Sequence, residues 1–272
     1  MAAQTDQRPP DDTLVRLGLP AIRRANVVGM DLVVGDYERA MDWMDEVVRR
    51  RLRACVTAAA VNLVMVARED PATRRSVKDA LAVPDGMPLV WALHALGHRE
   101  ATRIYGPDLM AGYCERSART GTRMYLYGGR SDEALEQLTT ALRERFPGLR
   151  IVGGWSPPFR PLTEAEREEV AARINASGAD VVWVGTGQPK QEHWMAEMRD
   201  RLEAPVLAGV GAAFDFHAGI VSQAPGWMQR NGLEWAYRVS REPRRLWRRY
   251  ARYNPLFVLA FARQYLAHRI RR

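Results

Sequence analysis

The sequence predicts an α/β chain: a parallel, doubly wound sheet with helices on both faces, followed by a basic amphipathic helical appendage. Three observations carry this reading. A strand, a glycine turn and a helix recur four times from Arg123 onward. The strands are short continuous apolar runs, which suits a sheet covered on both faces. The last 35 residues, from Arg238, hold 11 arginines against one acid, Glu242.

Taken in order, residues 1–24 read as a loose arm, with a polar start and Pro9-Pro10. Asn26 to Val34 is strand material broken by Gly29 and closed by Gly35. Asp36 to Arg51 is helical, because Ala40, Met41, Met44, Val47 and Val48 recur at three-to-four spacing. Ala54 to Ala60 is a short apolar strand. Leu63 to Ala82 reads as helix, and Pro84-Asp85-Gly86 as a turn. Arg123 to Tyr127 is a strand closing on Gly128-Gly129, and Ser131 caps the helix after it, with Asp132 and Glu133 in the first turn. Arg150 to Val152 is a strand ending at Gly153-Gly154. Thr163 and Glu166 form a capping box that opens a helix to Ser177. Asp180 to Val184 runs into Gly185-Thr186-Gly187, and Pro205 to Val210 into Gly211.

Charge and composition narrow the function classes. The chain carries +8 in total and the tail alone +10, so the first 237 residues sum to about −2. The basic character is therefore local. At 100° per residue, Arg241, Arg244, Arg245, Arg248, Arg249 and Arg252 fall within an arc of roughly 140°. Val239, Leu246, Tyr250, Tyr253 and Phe257 fall opposite, with Trp247 at their edge. This is the pattern of a helix that lies on an anionic membrane, and it also suits a helix that clamps phosphates. Hence the expected division: arm 1–24, sheet domain 25–237, and a membrane-associating appendage 238–272. The 47% apolar content is ample for a packed core. No run reaches the ~18 apolar residues of a spanning helix, and the N-terminus lacks the apolar stretch of a signal peptide. The expected location is the cytoplasm. Cys55 and Cys114 have no C-x-x-C or histidine partner nearby and read as two thiols in a reducing compartment.

In doubly wound sheets, ligands bind beyond the carboxyl ends of the strands. The glycine turns Gly128-Gly129, Gly185 to Gly187 and Gly211 lie there, where bare N–H groups at helix starts favour phosphates. Any open α/β domain needs small residues at such turns, so the signal is weak alone. Neither the dinucleotide fingerprint nor the P-loop pattern is present. Gly187-Gln188-Pro189-Lys190-Gln191-Glu192 is more specific, because it brings amide, cation and carboxylate to a strand-to-helix turn. Asp85 sits in a D-G turn, which by itself reads as turn chemistry. Arg103, Gly106 and Asp108 form a second polar turn. Asp215, between Phe214 and Phe216, is either partnered or working. The histidines lack ligand spacing, so no metal centre is expected, and no D-x-D pair marks a metal-dependent sugar-nucleotide transferase.

These pieces in this order resemble the WecG/TagA/CpsF family of bacterial glycosyltransferases (glycosyltransferase family 26). The resemblance runs from about Val27 to Arg249. It rests on Pro84-Asp85-Gly86, Tyr105 to Leu109, Tyr125 to Gly129, Gly185 to Glu192, Gly209 to Asp215, Ala218-Gly219, Ala224 to Trp227, Gly232 to Trp235, Arg238, and Glu242 to Arg245. It implies a Rossmann-like fold and transfer from a UDP-sugar to a sugar on a polyprenyl-diphosphate lipid, with inversion and neither metal nor cofactor. Asp85 matches the proposed general base. Arg103, Gln191 and Asp215 match donor-pocket positions. Arg238, Arg245 and Arg248 match arginines of an appendage that closes over the diphosphate at the inner face of the membrane. With them, Thr57, Asn62, Gly128, Gly129, Gly185, Gly187, Gln188, Pro189, Lys190 and Glu192 complete the expected donor site. The family's T-x-N at the end of the second strand aligns with Ala58 and Ala60, with Thr57 and Asn62 displaced.

Two rivals stand beside this reading. An epimerase or oxidoreductase on the same sheet lacks its dinucleotide fingerprint and a Y-x-x-x-K pair here. A nucleic-acid module using the arginine tail fits less well, because the tail has an aromatic face and the body is near neutral. No nucleic-acid partner is expected, and a homo-oligomer stays open.

Overall fold

In the computed structural model, which describes residues 13–270, the chain opens on one helical turn, α1 (Thr13–Arg16). Residues 1–12 of the expected arm lie outside the described residues. From Leu14 on the chain is docked: Leu14 and Leu19 are buried, and the Trp43 indole donates to the Pro20 carbonyl at 2.7 Å. An antiparallel hairpin follows, β1 (Arg24–Val27) and β2 (Met30–Val33), turned at Val28-Gly29. The strand material read over 26–34 with a break at Gly29 is thus two strands, because Gly29 adopts φ +93° and reverses the chain.

Helix α2 (Tyr37–Arg49) is capped by Asp36 and buries Ala40, Met41, Met44 and Val47 on one stripe. Strand β3 (Ala54–Ala59) leads into α3 (Val61–Glu69). The helix expected over 63–82 does not continue. Asp70 stops it and starts another, α4 (Pro71–Val77), by accepting from the Ala72 and Thr73 amides, with Pro71 at the tolerant first position. Ala80–Pro84 is a fully buried strand, β4. An alanine-rich apolar run of five is ambiguous by periodicity, and tertiary pairing decides it. Helices α5 (Met87–Ala95) and α6 (Gly106–Thr120) come next. Gly106 and Asp108 therefore open a helix rather than form a turn.

The second half follows the predicted alternation: β5 (Arg123–Gly128), α7 (Asp132–Arg145), β6 (Arg150–Trp155), α8 (Glu164–Ser177), β7 (Val181–Gly185), α9 (Lys190–Met198) and β8 (Val206–Gly209). The sheet order is β1-β2-β4-β3-β8-β7-β5-β6, and every pairing except β1–β2 is parallel. This is an α/β, Rossmann-like fold. The seven mutually parallel strands, β2 to β8, point their carboxyl ends to the same edge. Gly128 sits where β5 passes β7: its φ is +137°, and an added Cβ would lie 2.8 Å from the Gly185 backbone.

Short helices α10 (Ala213–His217) and α11 (Gly226–Arg230) lead to α12 (Glu234–Arg241) and the long α13 (Pro243–Ile270). The arginine-rich stretch is therefore two helices, broken at Glu242-Pro243, since a proline ring cannot continue the preceding turn. The apolar stripe of the tail packs inward. Leu246 is 1% and Phe257 5% exposed, and Tyr253, Phe261 and Tyr265 pack against the cluster under β2 and α3. Gln264 clamps the hairpin, accepting from Val28 N–H and donating to the Asn26 carbonyl, both at 2.8 Å. Arg252 pairs with Glu69 at 2.8 Å.

Candidate active site

A cleft of about 1300 Å³ opens along that carboxyl edge. Its wall comes from the ends of six strands: Ala58 and Ala60 after β3, Asp85 to Pro88 after β4, Gly129 and Arg130 after β5, Pro157 to Leu162 after β6, Gly185 to Gln188 after β7, and Val210 to Ala212 after β8. The appendage closes the remaining side with Glu234, Trp235, Arg238, Arg249, Tyr250 and Asn254.

Asp85 is the first residue beyond β4. Its amide donates to the Ala59 carbonyl at 3.0 Å, which fixes the turn. Its Oδ1 accepts from the Gly106 amide at 2.7 Å, at the start of α6. A side chain at Gly106 would meet the Val210 carbonyl at 3.0 Å, so the close approach of α6 to the sheet requires glycine there. Burial pushes the Asp85 carboxyl up to about 6, with Glu234 adding to the rise and Arg103, the Gly106 amide and Arg238 opposing it.

Arg103 reaches the cleft but is fully engaged by protein. Its Nε donates to the Asp85 carbonyl at 2.5 Å, Nη2 pairs with Glu234, and the guanidinium lies 4.0 Å from the centre of the Tyr105 ring. The Tyr105 hydroxyl donates to Glu234 at 2.9 Å. Arg238, one turn beyond Glu234 on α12, lines the cleft, and its guanidinium makes no hydrogen bond among the described residues. Burial works against its charge, yet Tyr250, Tyr105, Glu234 and Asp85 together hold its pKa above the ordinary arginine value.

The predicted donor residues divide. Asn62, Arg103, Gly129, Gly185, Gly187, Gln188, Lys190 and Asp215 line the cleft with Asp85 and Arg238. Four side-chain atoms of cleft-lining residues are buried and without a hydrogen-bond partner among the described residues: Asn62 Oδ1, Thr186 Oγ1, Trp194 Nε1 and Arg249 Nε. Gln188 is held by donation to the Ala58 carbonyl at 2.6 Å, and Asp215 by a two-bond pair with Arg130 at 2.9 and 3.0 Å. Ala58 and Ala60 also line the cleft.

Thr57, Gln191 and Glu192 do not line it. They are 0%, 0% and 1% exposed and bind one another beneath the strand ends. The Thr57 hydroxyl donates to Glu192 at 2.7 Å, the Gln191 amide donates to Glu192 at 2.8 Å, and Gln191 accepts from the Gly211 amide at 3.0 Å. Burial raises the Glu192 carboxyl to about 7 against those bonds. Residues in a strand alternate faces, so Ala58 looks into the cleft while Thr57 looks away. Gly128 and Pro189 are likewise outside the lining, and the Gln188–Pro189 peptide is cis. Arg248 is exposed on the outer face of α13; Arg245 falls in the first turn of that helix, and its side chain lies outside the described residues.

Sequence reading missed Glu234, Tyr105 and Arg249 as site residues. The one signal available was Glu234 standing four residues before Arg238, a helical turn that puts both on one face. Among the described residues no three His, Cys, Asp or Glu side chains gather as a metal site, and no helix is long and apolar enough to cross a membrane.

A family model, the glycosyl transferase WecG/TagA/CpsF family, matches residues 25–271. The chain belongs to that family, and is therefore a glycosyltransferase of cell-surface polymer synthesis.

Proposed function

We propose that this enzyme moves a hexose, N-acetylmannosamine, its uronic acid or a related sugar, from a UDP-sugar to a sugar on a polyprenyl-diphosphate lipid, with inversion and without a metal. The observation that carries this reading is one cleft lined by both a half-buried carboxylate, Asp85, and an arginine, Arg238, whose guanidinium makes no hydrogen bond among the described residues.

The acceptor hydroxyl attacks the anomeric carbon from the side opposite UDP, the carbon–oxygen bond to UDP breaks, and the hydroxyl proton passes to Asp85. A carboxyl held at about 6 is mostly ionised at pH 7 and is a stronger base than an ordinary aspartate. Negative charge grows on the departing diphosphate. Arg238 is placed to compensate it with charge-assisted hydrogen bonds that need no partner exchange. Lys190, exposed at the start of α9, adds a second cation on the donor side. Asn62 and Thr186 offer unused polar atoms to donor hydroxyl or amide groups.

The outer face of α13 supports membrane contact in a form the sequence did not suggest. Val258, Leu259, Leu266 and Ile270 are 59–85% exposed, within an arc of about 120° that also holds Arg244 and Arg248 in the first turns. Charge and apolar surface follow one another along one face. Arg248 then meets anionic headgroups or the acceptor diphosphate, at ~1 kcal/mol per arginine near such a surface, and the enzyme works at the inner membrane face. The test is UDP release from a panel of UDP-sugars in EDTA, with and without a polyprenyl-diphosphate-linked sugar. Acceptor-dependent release supports the reading. Release that needs a divalent cation, or none with any donor, overturns it.

A further inference from the structure

Glu234 lies on the appendage, yet its two partners lie on the sheet domain. Arg103 and Glu234 are 15% and 14% exposed at their side chains, so the pair is shielded from solvent. The Tyr105 hydroxyl completes the second carboxylate oxygen at 2.9 Å, and Tyr105 is 3% exposed. Both Glu234 oxygens are therefore held by protein. Arg103 lies beside Asp85, since its Nε donates to the Asp85 carbonyl at 2.5 Å. Even so, among the described residues it makes no ion pair with the Asp85 carboxylate; its outer nitrogens turn to Glu234 and, at 3.5 Å, to Gln229 of α11. Both restraining groups come from beyond residue 225.

We infer that Glu234 is a positioning residue: from the docked appendage it takes up the Arg103 guanidinium, holds it off the Asp85 carboxylate, and so leaves that carboxylate free to act as a base only while α12 is in place. The inference rests on the reading of Asp85 as the base and adds how that base is switched on. The charged and titratable groups facing Asp85 are Tyr37 from α2, Arg103 and Tyr105 from the segment before α6, and Glu234 and Arg238 from α12. With α12 docked, Glu234 offsets Arg103. With α12 away, Arg103 is unpaired beside Asp85, and Asp85 is open to water. Both changes favour the carboxylate over the carboxylic acid and weaken it as a base.

The experiment uses the full chain, parent and Glu234→Gln, with two readouts independent of turnover. The Asp85 side-chain carboxyl is titrated by carbon NMR, assigned with Asp85→Asn. Amide hydrogen exchange is followed over residues 226–241. The expected result for Glu234→Gln is a fall of about one pH unit in the Asp85 titration, with faster exchange in α11 and α12. Tyr105→Phe removes the other bond but no charge, and should speed exchange while leaving the Asp85 titration in place. An Asp85 titration that is unmoved or rises in Glu234→Gln overturns the inference, as does parental exchange. UDP release by the parent is measured on the same sample. Its absence would refute the proposed reaction, while the titration would still decide whether Glu234 governs Asp85.

Discussion

Asp85→Asn should remove activity and raise stability together. The amide oxygen can still accept from the Gly106 N–H, so the turn is kept, while the proton acceptor is lost. A positioned base contributes about 10²–10⁴-fold, and kcat should fall by that factor. The stability change follows from the carboxyl itself. Its pKa rises from 3.8 to about 6 on folding, which means folding disfavours the ionised form. The native state therefore binds the proton more tightly than the unfolded chain. Stability associated with Asp85 is full below about pH 4, falls as pH rises between the two values, and is gone above about pH 6. A shift of about 2 units at 1.36 kcal/mol each corresponds to about 3 kcal/mol at pH 8, and about half of that at pH 5. The neutral amide escapes this cost. For a chain of this size, about 3 kcal/mol amounts to roughly 5 °C in Tm. Thermal unfolding of parent and variant at pH 5 and pH 8 measures it: the variant should gain most at pH 8. A variant less stable than the parent at pH 8, or a gain that grows toward pH 5, would refute the claim that burial sets the Asp85 carboxyl. Full retention of kcat would refute its role as base.

Further predictions follow from the same geometry. Arg238→Ala should lower kcat about 10²–10³-fold, as removal of a donor to developing charge does elsewhere, with little change in Tm; an effect confined to KM would place Arg238 in ground-state binding only. Thr57→Val should destabilise the fold by about 1–3 kcal/mol by leaving the Glu192 carboxylate short of a donor. Because Glu192 is raised to about 7, that loss should be larger at pH 8 than at pH 6, and donor KM should change less than stability. Phe257→Ala should weaken docking of α13 by about 3–5 kcal/mol, seen as faster proteolysis between α12 and α13 while the sheet domain stays folded. Replacing Val258, Leu259 and Leu266 by serine should reduce sedimentation with anionic vesicles without altering Tm, since these side chains are 59–63% exposed; unchanged vesicle binding would remove this face from the account.

The fold was legible where one local signal dominated. The capping box Thr163–Glu166, the Ser131 cap and the glycine turns after β5 and β7 mark their elements without outside help. Strand β4 was not legible, because Ala80 to Pro84 carries no period and its identity comes from pairing with β2 and β3. The site was legible as an edge rather than as side-chain directions. Gln188 and Lys190 face the cleft while Gln191 and Glu192, on the same motif, brace β3 and β8 from beneath. Spacing alone gives that split only once the first residue of α9 is known. The tail shows the same limit. Its basic arc is readable, but which apolar stripe it lies against depends on α3 and the β1–β2 hairpin, and these take Tyr253 and Phe257 into the body. Glu234 escaped notice because an acid in a basic segment reads as local charge balance, whereas its partners are more than a hundred residues away.

The central claim is an inverting transfer in which Asp85 takes the acceptor proton. The most direct measurement is the anomeric configuration of the product, made in EDTA from an α-linked UDP-sugar and a polyprenyl-diphosphate-linked acceptor and read by NMR. A new β-linkage formed by the parent and lost in Asp85→Asn is the predicted result. An α-linkage, or undiminished product from Asp85→Asn, would contradict it.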